Sequence, residues 1–173
     1  MIIIFTGNGK GKTTAALGQA MRAIGNGSST LMVQLIKGPW KSGEDESCKA
    51  FGESMKIVKK GKGFVKIAGD KLPFETHVDA AKEGLSYALE EIGTRKWNIL
   101  ILDEMWNALN LGLISKDEAF DFIDKASKLV DHLILTGRDC PSEFIDRADI
   151  VTEMREIKHP FHAGTQATAS VEY

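Results

Sequence analysis

Between residues 6 and 14 the chain reads Thr6-Gly7-Asn8-Gly9-Lys10-Gly11-Lys12-Thr13-Thr14. A glycine-rich turn that leaves a strand and opens a helix surrounds an anion with backbone N–H groups and sets it at the helix's positive end. Thr6 through Thr14 are therefore the candidate nucleotide-phosphate site. Lys12 is expected to reach the outer phosphates, and the Thr13 hydroxyl to ligate a magnesium ion. The spacing has one peculiarity. Gly7 and Gly11 enclose one residue fewer than the common pattern, and Thr6 stands where that pattern places its first glycine.

A second pair of chemical groups, Asp103-Glu104, ends the apolar run Ile99-Leu100-Ile101-Leu102. A carboxylate at that end of a sheet strand is suited to holding magnesium through water, and Glu104 could polarise a water in an ATPase. A solvated strand end with two charges is the alternative. Gln34, Lys37, Gly38 and Trp40 follow another apolar run, where Trp40 could stack on a flat ligand or simply cover the sheet edge. Arg138, just past Leu135-Thr136-Gly137, could hold a phosphate or carboxylate by paired hydrogen bonds, or be an ordinary exposed arginine. His159 and His162 have the look of a metal pair, but Pro160 between them opposes the helix that would align both rings, and no third ligand is evident. Ser142 and Cys140 lack a recognisable base partner, so covalent catalysis by them is rejected.

The elements that must position these groups follow from periodicity. Ile2 to Thr6 is a short β-branched run, as a strand covered on both faces should be. From Lys12 a helix is expected, with Leu17, Ala20, Met21 and Ile24 on its apolar side and Gly25 and Gly27 at its end. Further strands are expected at Leu31–Ile36, Met55–Val58, Trp97–Asp103, Leu133–Thr136 and Ile150–Glu153. The rest of Lys56–Lys71 reads as a surface loop. Thr76 with Asp79, and Ser115 with Glu118, resemble capping boxes opening two helices, and Pro141–Ala148 is a short helix. Alternating strands and helices predict an α/β fold: a doubly wound, mostly parallel sheet in a P-loop NTPase-like three-layer architecture, with residues 1–173 as one domain. Charge is balanced, at 22 basic against 24 acidic residues, which gives no bulk field for nucleic acid. No apolar run approaches the length of a membrane span, and Cys48 and Cys140 read as separate reduced thiols, so a cytoplasmic protein is expected.

Five blocks together resemble the P-loop ATP:corrinoid adenosyltransferases. They are Phe5 to Ala16, Val33 to Trp40, Leu102-Asp103-Glu104, Leu135 to Arg138 and Ile157 to Gly164, collinear from residue 2 to Val171-Glu172-Tyr173. The shortened phosphate loop is that family's own form. The resemblance implies attack by the cobalt(I) of a reduced corrinoid on the ribose 5′ carbon of ATP, with release of triphosphate. It also implies magnesium (or manganese), an electron donor for cobalt and a homodimer. It assigns catalytic roles to Lys12, Asp103 and Glu104, nucleotide contacts to Thr6 through Thr14 and Arg138, and metal contacts to Thr13 and Asp103. The corrinoid is expected against Trp40, Phe64 and Phe74, with Phe64 and Phe74 in the segment that the family uses to strip cobalt's lower axial ligand. Two features depart from the family: the chain starts directly at its first strand, and Phe74-Glu75-Thr76 replaces a tryptophan form. A P-loop kinase or ATPase, or an ATP-gated interaction protein with Lys56–Lys71 as its switch, are the competing readings.

Overall fold

Six short strands carry the molecule: β1 (Ile2–Thr6), β2 (Thr30–Gln34), β3 (Met55–Lys59), β4 (Ile99–Asp103), β5 (His132–Thr136) and β6 (Ile150–Glu153). They form one sheet in the order β3-β2-β4-β5-β1-β6, and every neighbouring pair is parallel. These features belong to a computed structural model that describes all residues except 68, 165–167, 169–170 and 172–173. Glu172 and Tyr173, the end of the last resembling block, thus lie outside the described residues.

Alternation along each strand builds two cores, one per sheet face. Ile4, Leu31, Val33, Leu100, Leu102, Leu133 and Leu135 face one way, onto α3 (Phe74–Gly93), α4 (Met105–Asn110) and α5 (Lys116–Ala126). Ile3, Phe5, Met32, Ile99, Ile101 and Ile134 face the other, onto α1 (Lys12–Gly25). Such burial contributes about 1.5–3 kcal/mol per large aliphatic side chain. It explains why β4, inside the sheet, is apolar on both faces up to its terminal aspartate. The short helices α2 (Gly43–Ser47) and α6 (Ser142–Ile145) occupy connections at the strands' carboxyl ends. This is the three-layer, doubly wound architecture expected from the alternation of elements.

Several local expectations are corrected. Met21 is not on the buried side of α1 but 65% exposed; the small Ala16 and Ala20 let the helix lie close to the sheet instead. β2 stops at Gln34, whose carbonyl accepts from the amides of Lys60 and Gly61 rather than continuing the ladder to Ile36. The strand ending at Asp103 begins at Ile99, and Trp97 is buried just ahead of it. The third helix begins at Phe74, with Pro73 as its N-cap. Thr76 lies within its first turn and donates its amide to the Pro73 carbonyl, so no capping box forms there. Ser115 and Glu118 do form the reciprocal box at α5. The strand expected at Met55–Val58 is present and runs on to Lys59, but Val65 beyond it is buried, so the rest of that stretch is not surface loop throughout.

Candidate active site

The phosphate loop owes its shape to a neighbour that sequence reasoning missed. After β6 the chain runs alongside the loop as a strap. Met154 donates its amide to the Thr6 carbonyl (2.8 Å), the Gly9 amide donates to the Met154 carbonyl (2.7 Å), and the Glu156 amide donates to Asn8 Oδ1 (3.2 Å). A Cβ on Gly7 would meet the Met154 oxygen at 2.4 Å, and one on Gly9 would meet it at 2.7 Å. Gly7 also has φ +95°, a backbone state that other residues adopt only under strain. Both glycines are thus demanded by the strap as much as by any anion. Within the loop, Lys12 Nζ donates to the carbonyls of Gly7 and Gly9, both at 2.7 Å. Burial, and then the Arg138 guanidinium, pull the Lys12 ammonium below its ordinary pKa.

Asp103 is the hub. It is fully buried and accepts three hydrogen bonds: from Thr13 Oγ1 (2.9 Å) and Thr136 Oγ1 (2.7 Å) on one oxygen, and from Gln34 Nε2 (3.0 Å) on the other. The register explains the meeting. Gln34 lies opposite Asp103 across β2 and β4, Thr136 ends β5 between β4 and β1, and Thr13 opens α1. The Thr136 hydroxyl also accepts from the Glu104 amide at 2.9 Å. Along the sequence Gln34 reads only as a strand-end residue, and Thr136 only as part of Leu135-Thr136-Gly137. Their shared aspartate is a property of sheet order, which spacing along the chain does not reveal.

Glu104 caps α4 in a left-handed conformation, with φ 63°. Burial first, and the Asp103 charge second, push its carboxyl up to about 7. Its Oε2 is buried without a hydrogen-bond partner among the described residues, a costly arrangement for a carboxylate oxygen. Lys37 pairs with Glu44 at 2.5 Å; burial depresses the lysine, but Glu44, Asp103 and Glu104 more than restore it, leaving its pKa raised. Thr13, Asp103 and Glu104 together offer hard oxygens with one carboxylate oxygen unclaimed, a donor set that fits magnesium.

One cleft of about 1210 Å³ unites Asn8 through Thr14 with Lys37, Glu104 and Arg138, and with His159 and His162 beyond the strap. Arg138 is fixed by its backbone amide, which donates to Asn107 Oδ1 (2.9 Å). His162 pairs with Glu156 at 2.6 Å, and no cluster of three potential metal ligands of the His, Cys, Asp and Glu types occurs among the described residues. Burial raises the Cys140 thiol to about 12, which leaves it protonated and a poor nucleophile.

The aromatic candidates separate. Trp40 and Phe64 are 58% and 50% exposed, with ring centroids 5.3 Å apart. Trp40 lies against Gly38 and Gly63, where a Cβ on either would meet the indole at 2.4 Å. Phe74 is instead half-buried against the larger core, with Lys66 Nζ 3.9 Å from its ring centre. The aromatic neighbour of Phe64 is Trp40, contributed by a different loop.

The sheet order, with the loop strand separated from the aspartate strand by one strand, is that of a P-loop NTPase-like fold. The flagellar accessory protein FlaH from Methanocaldococcus jannaschii shares this fold, with a TM-score of 0.54 at 13% identity over 88% of this chain and 69% of that one. Sequence is more specific. The family model for ATP:corrinoid adenosyltransferases (BtuR/CobO/CobP) matches residues 1–173, and the chain belongs to that family. It is 32% identical to the corrinoid adenosyltransferase of Escherichia coli K12, spanning all of this chain and 85% of the relative. It is 36% identical to that of a Sinorhizobium species, again over the whole chain and 80% of the relative.

Proposed function

We propose that this chain transfers the 5′-deoxyadenosyl group of ATP to the cobalt(I) of a reduced corrinoid. The bond from the ribose 5′ carbon to the α-phosphate oxygen breaks, a cobalt–carbon bond forms with cobalt's electron pair, and inorganic triphosphate leaves. The observation that carries this reading is the Thr13–Asp103 contact beneath the phosphate loop, in a chain of this family. Cobalt(I) needs no general base, so the protein's task is to place two substrates and to neutralise a highly charged leaving group.

Lys12, the loop amides and Arg138 supply that charge. Thr13, Asp103 and Glu104 would hold magnesium or manganese, which when bound offsets part of the triphosphate charge. Asp103 fixes the Thr13 hydroxyl while Gln34 and Thr136 fix Asp103. Trp40 and Phe64 form the exposed apolar face for the corrinoid, and the half-buried Phe74 supports it from the edge of the core. A single domain, a homodimeric assembly, a cytoplasmic location and a separate electron donor complete the proposal; neither nucleic acid nor a membrane is a partner. No helix among the described residues is long and apolar enough to cross a membrane.

The test is an anaerobic reaction of ATP with chemically reduced cobalamin. Decay of the cobalt(I) absorbance with growth of the adenosyl product, dependent on the protein, is the expected result. Persistence of cobalt(I) alongside protein-dependent ATP consumption would overturn it.

A further inference from the structure

The cleft has two unlike walls. On the β2–β3 side stand Leu17, Phe51 and Met55, an apolar surface suited to a purine. On the β6 side the strap contributes Glu156, His159 and His162. A nucleotide is divided in the same way, with a flat apolar base at one end and a polyanion at the other.

We propose that His159 and His162 hold the outermost phosphate of ATP and of the triphosphate product, with Glu156 as the residue that positions His162. The proposal rests on the adenosyl-transfer reading for its product but on this wall for its geometry. The strap cannot shift independently of the phosphate loop. Two backbone hydrogen bonds at Met154 and one from the Glu156 amide to Asn8 join them, and the strap lies so close to Gly7 and Gly9 that neither position has space for a side chain. The Glu156 carboxylate lies 2.6 Å from His162 Nε2, which fixes the imidazole's orientation as second-layer carboxylates do for functional histidines. Asn8 therefore clamps the strap through its side chain, as Gly9 does through its amide. Both histidines line the same cleft as Lys12 and Arg138, which would let the terminal phosphate be held from the strap as well as from the loop.

Calorimetric titration of the full chain with inorganic triphosphate and magnesium tests this without any corrinoid. His162→Ala and His159→Ala should each weaken triphosphate binding by about tenfold, the value of one charge-assisted hydrogen bond. Glu156→Gln should weaken it about threefold, and His162→Gln, which keeps an N–H donor, should recover part of the loss. Melting curves identify any variant whose fold is impaired, and the glutamine variant then stands in for the alanine one. Unchanged triphosphate affinity in both histidine variants would overturn the proposal. So would a loss of ATP affinity with triphosphate affinity intact, which would put the histidines at the base. Failure of the adenosyl-transfer reading would show separately, as absence of adenosylcorrinoid from the unaltered protein.

Discussion

The phosphate end and the aromatic end of this molecule are built on opposite principles. Around Asp103 the buried Gln34 and Thr136 and the half-buried Thr13 all donate to one carboxylate, joining four elements: β2, β4, β5 and α1. Around Trp40 and Phe64 the side chains are exposed and rest on glycine backbone in two loops that leave β2 and β3. Stabilising charge requires fixed dipoles and excluded water, so rigidity there is functional. A face for a broad flat ligand requires exposed apolar area, which a protein tolerates only in small patches. Changes at the first end should therefore alter the chemistry, and changes at the second should alter which cobalt species can be used.

The largest effect is expected from Lys12→Ala. Removing a charge that contacts the departing triphosphate should lower turnover at saturating ATP by about 10²–10³-fold, as losing one preorganised electrostatic donor does. Melting temperature should scarcely change. A near-normal rate would break the assignment of this end to leaving-group stabilisation. Asp103→Asn comes next, because an amide N–H must then face hydrogen-bond donors now served by a carboxylate. Loss of that charge should shift the magnesium titration of activity by tenfold or more, with a stability loss of about 1–3 kcal/mol. An unchanged metal titration would remove Asp103 as the metal's anchor.

Glu104 gives a pH signature in the metal-free protein. Its folded pKa, about 7, lies above the ordinary 4.5, so the folded state holds the proton more tightly. Its contribution is fully present below the unfolded value and is lost as pH rises from about 4.5 to 7, with a plateau beyond. The scale is roughly 3 kcal/mol or slightly more. Glu104→Gln should remove that decline in denaturant-unfolding series across this window. An equal decline in the variant would assign it to other groups.

The aromatic end should yield smaller, more selective effects. Trp97 and Trp106 are buried, so the exposed Trp40 is the tryptophan whose fluorescence a bound corrinoid should quench most, and Trp40→Phe should abolish most of that quench. Phe64→Ala should suppress activity that starts from cobalt(II) with a mild reductant, yet spare pre-reduced cobalt(I). Phe74→Ala should lower stability by about 2 kcal/mol and affect both assays alike, given its place against the core. Selective loss of the cobalt(II) reaction in Phe74→Ala would restore Phe74 to the corrinoid face.

What could be read beforehand divides along the same line. The loop, β1, β4 and the Asp103-Glu104 pair were legible because glycine spacing and unbroken apolar runs are local signals. The existence of β6 was legible too, since Ile150-Val151 sits between polar neighbours. The strap was not, because Met154 and Glu156 act through backbone groups that any residue could supply. Phe74 shares a sequence segment with Phe64, but it opens α3 and packs half-buried against the larger core, a difference that only the helix start after Pro73 creates. Trp40 reached Phe64 through the parallel pairing of β2 with β3, a contact that only the sheet creates.

The central claim is that ATP is cut at carbon, not at phosphorus, and the phosphorus-containing product decides it most directly. Phosphorus NMR of the completed anaerobic reaction should show inorganic triphosphate in a one-to-one ratio with adenosylcorrinoid, and Lys12→Ala should form both more slowly by the same large factor. ADP and inorganic phosphate in place of triphosphate would contradict the account.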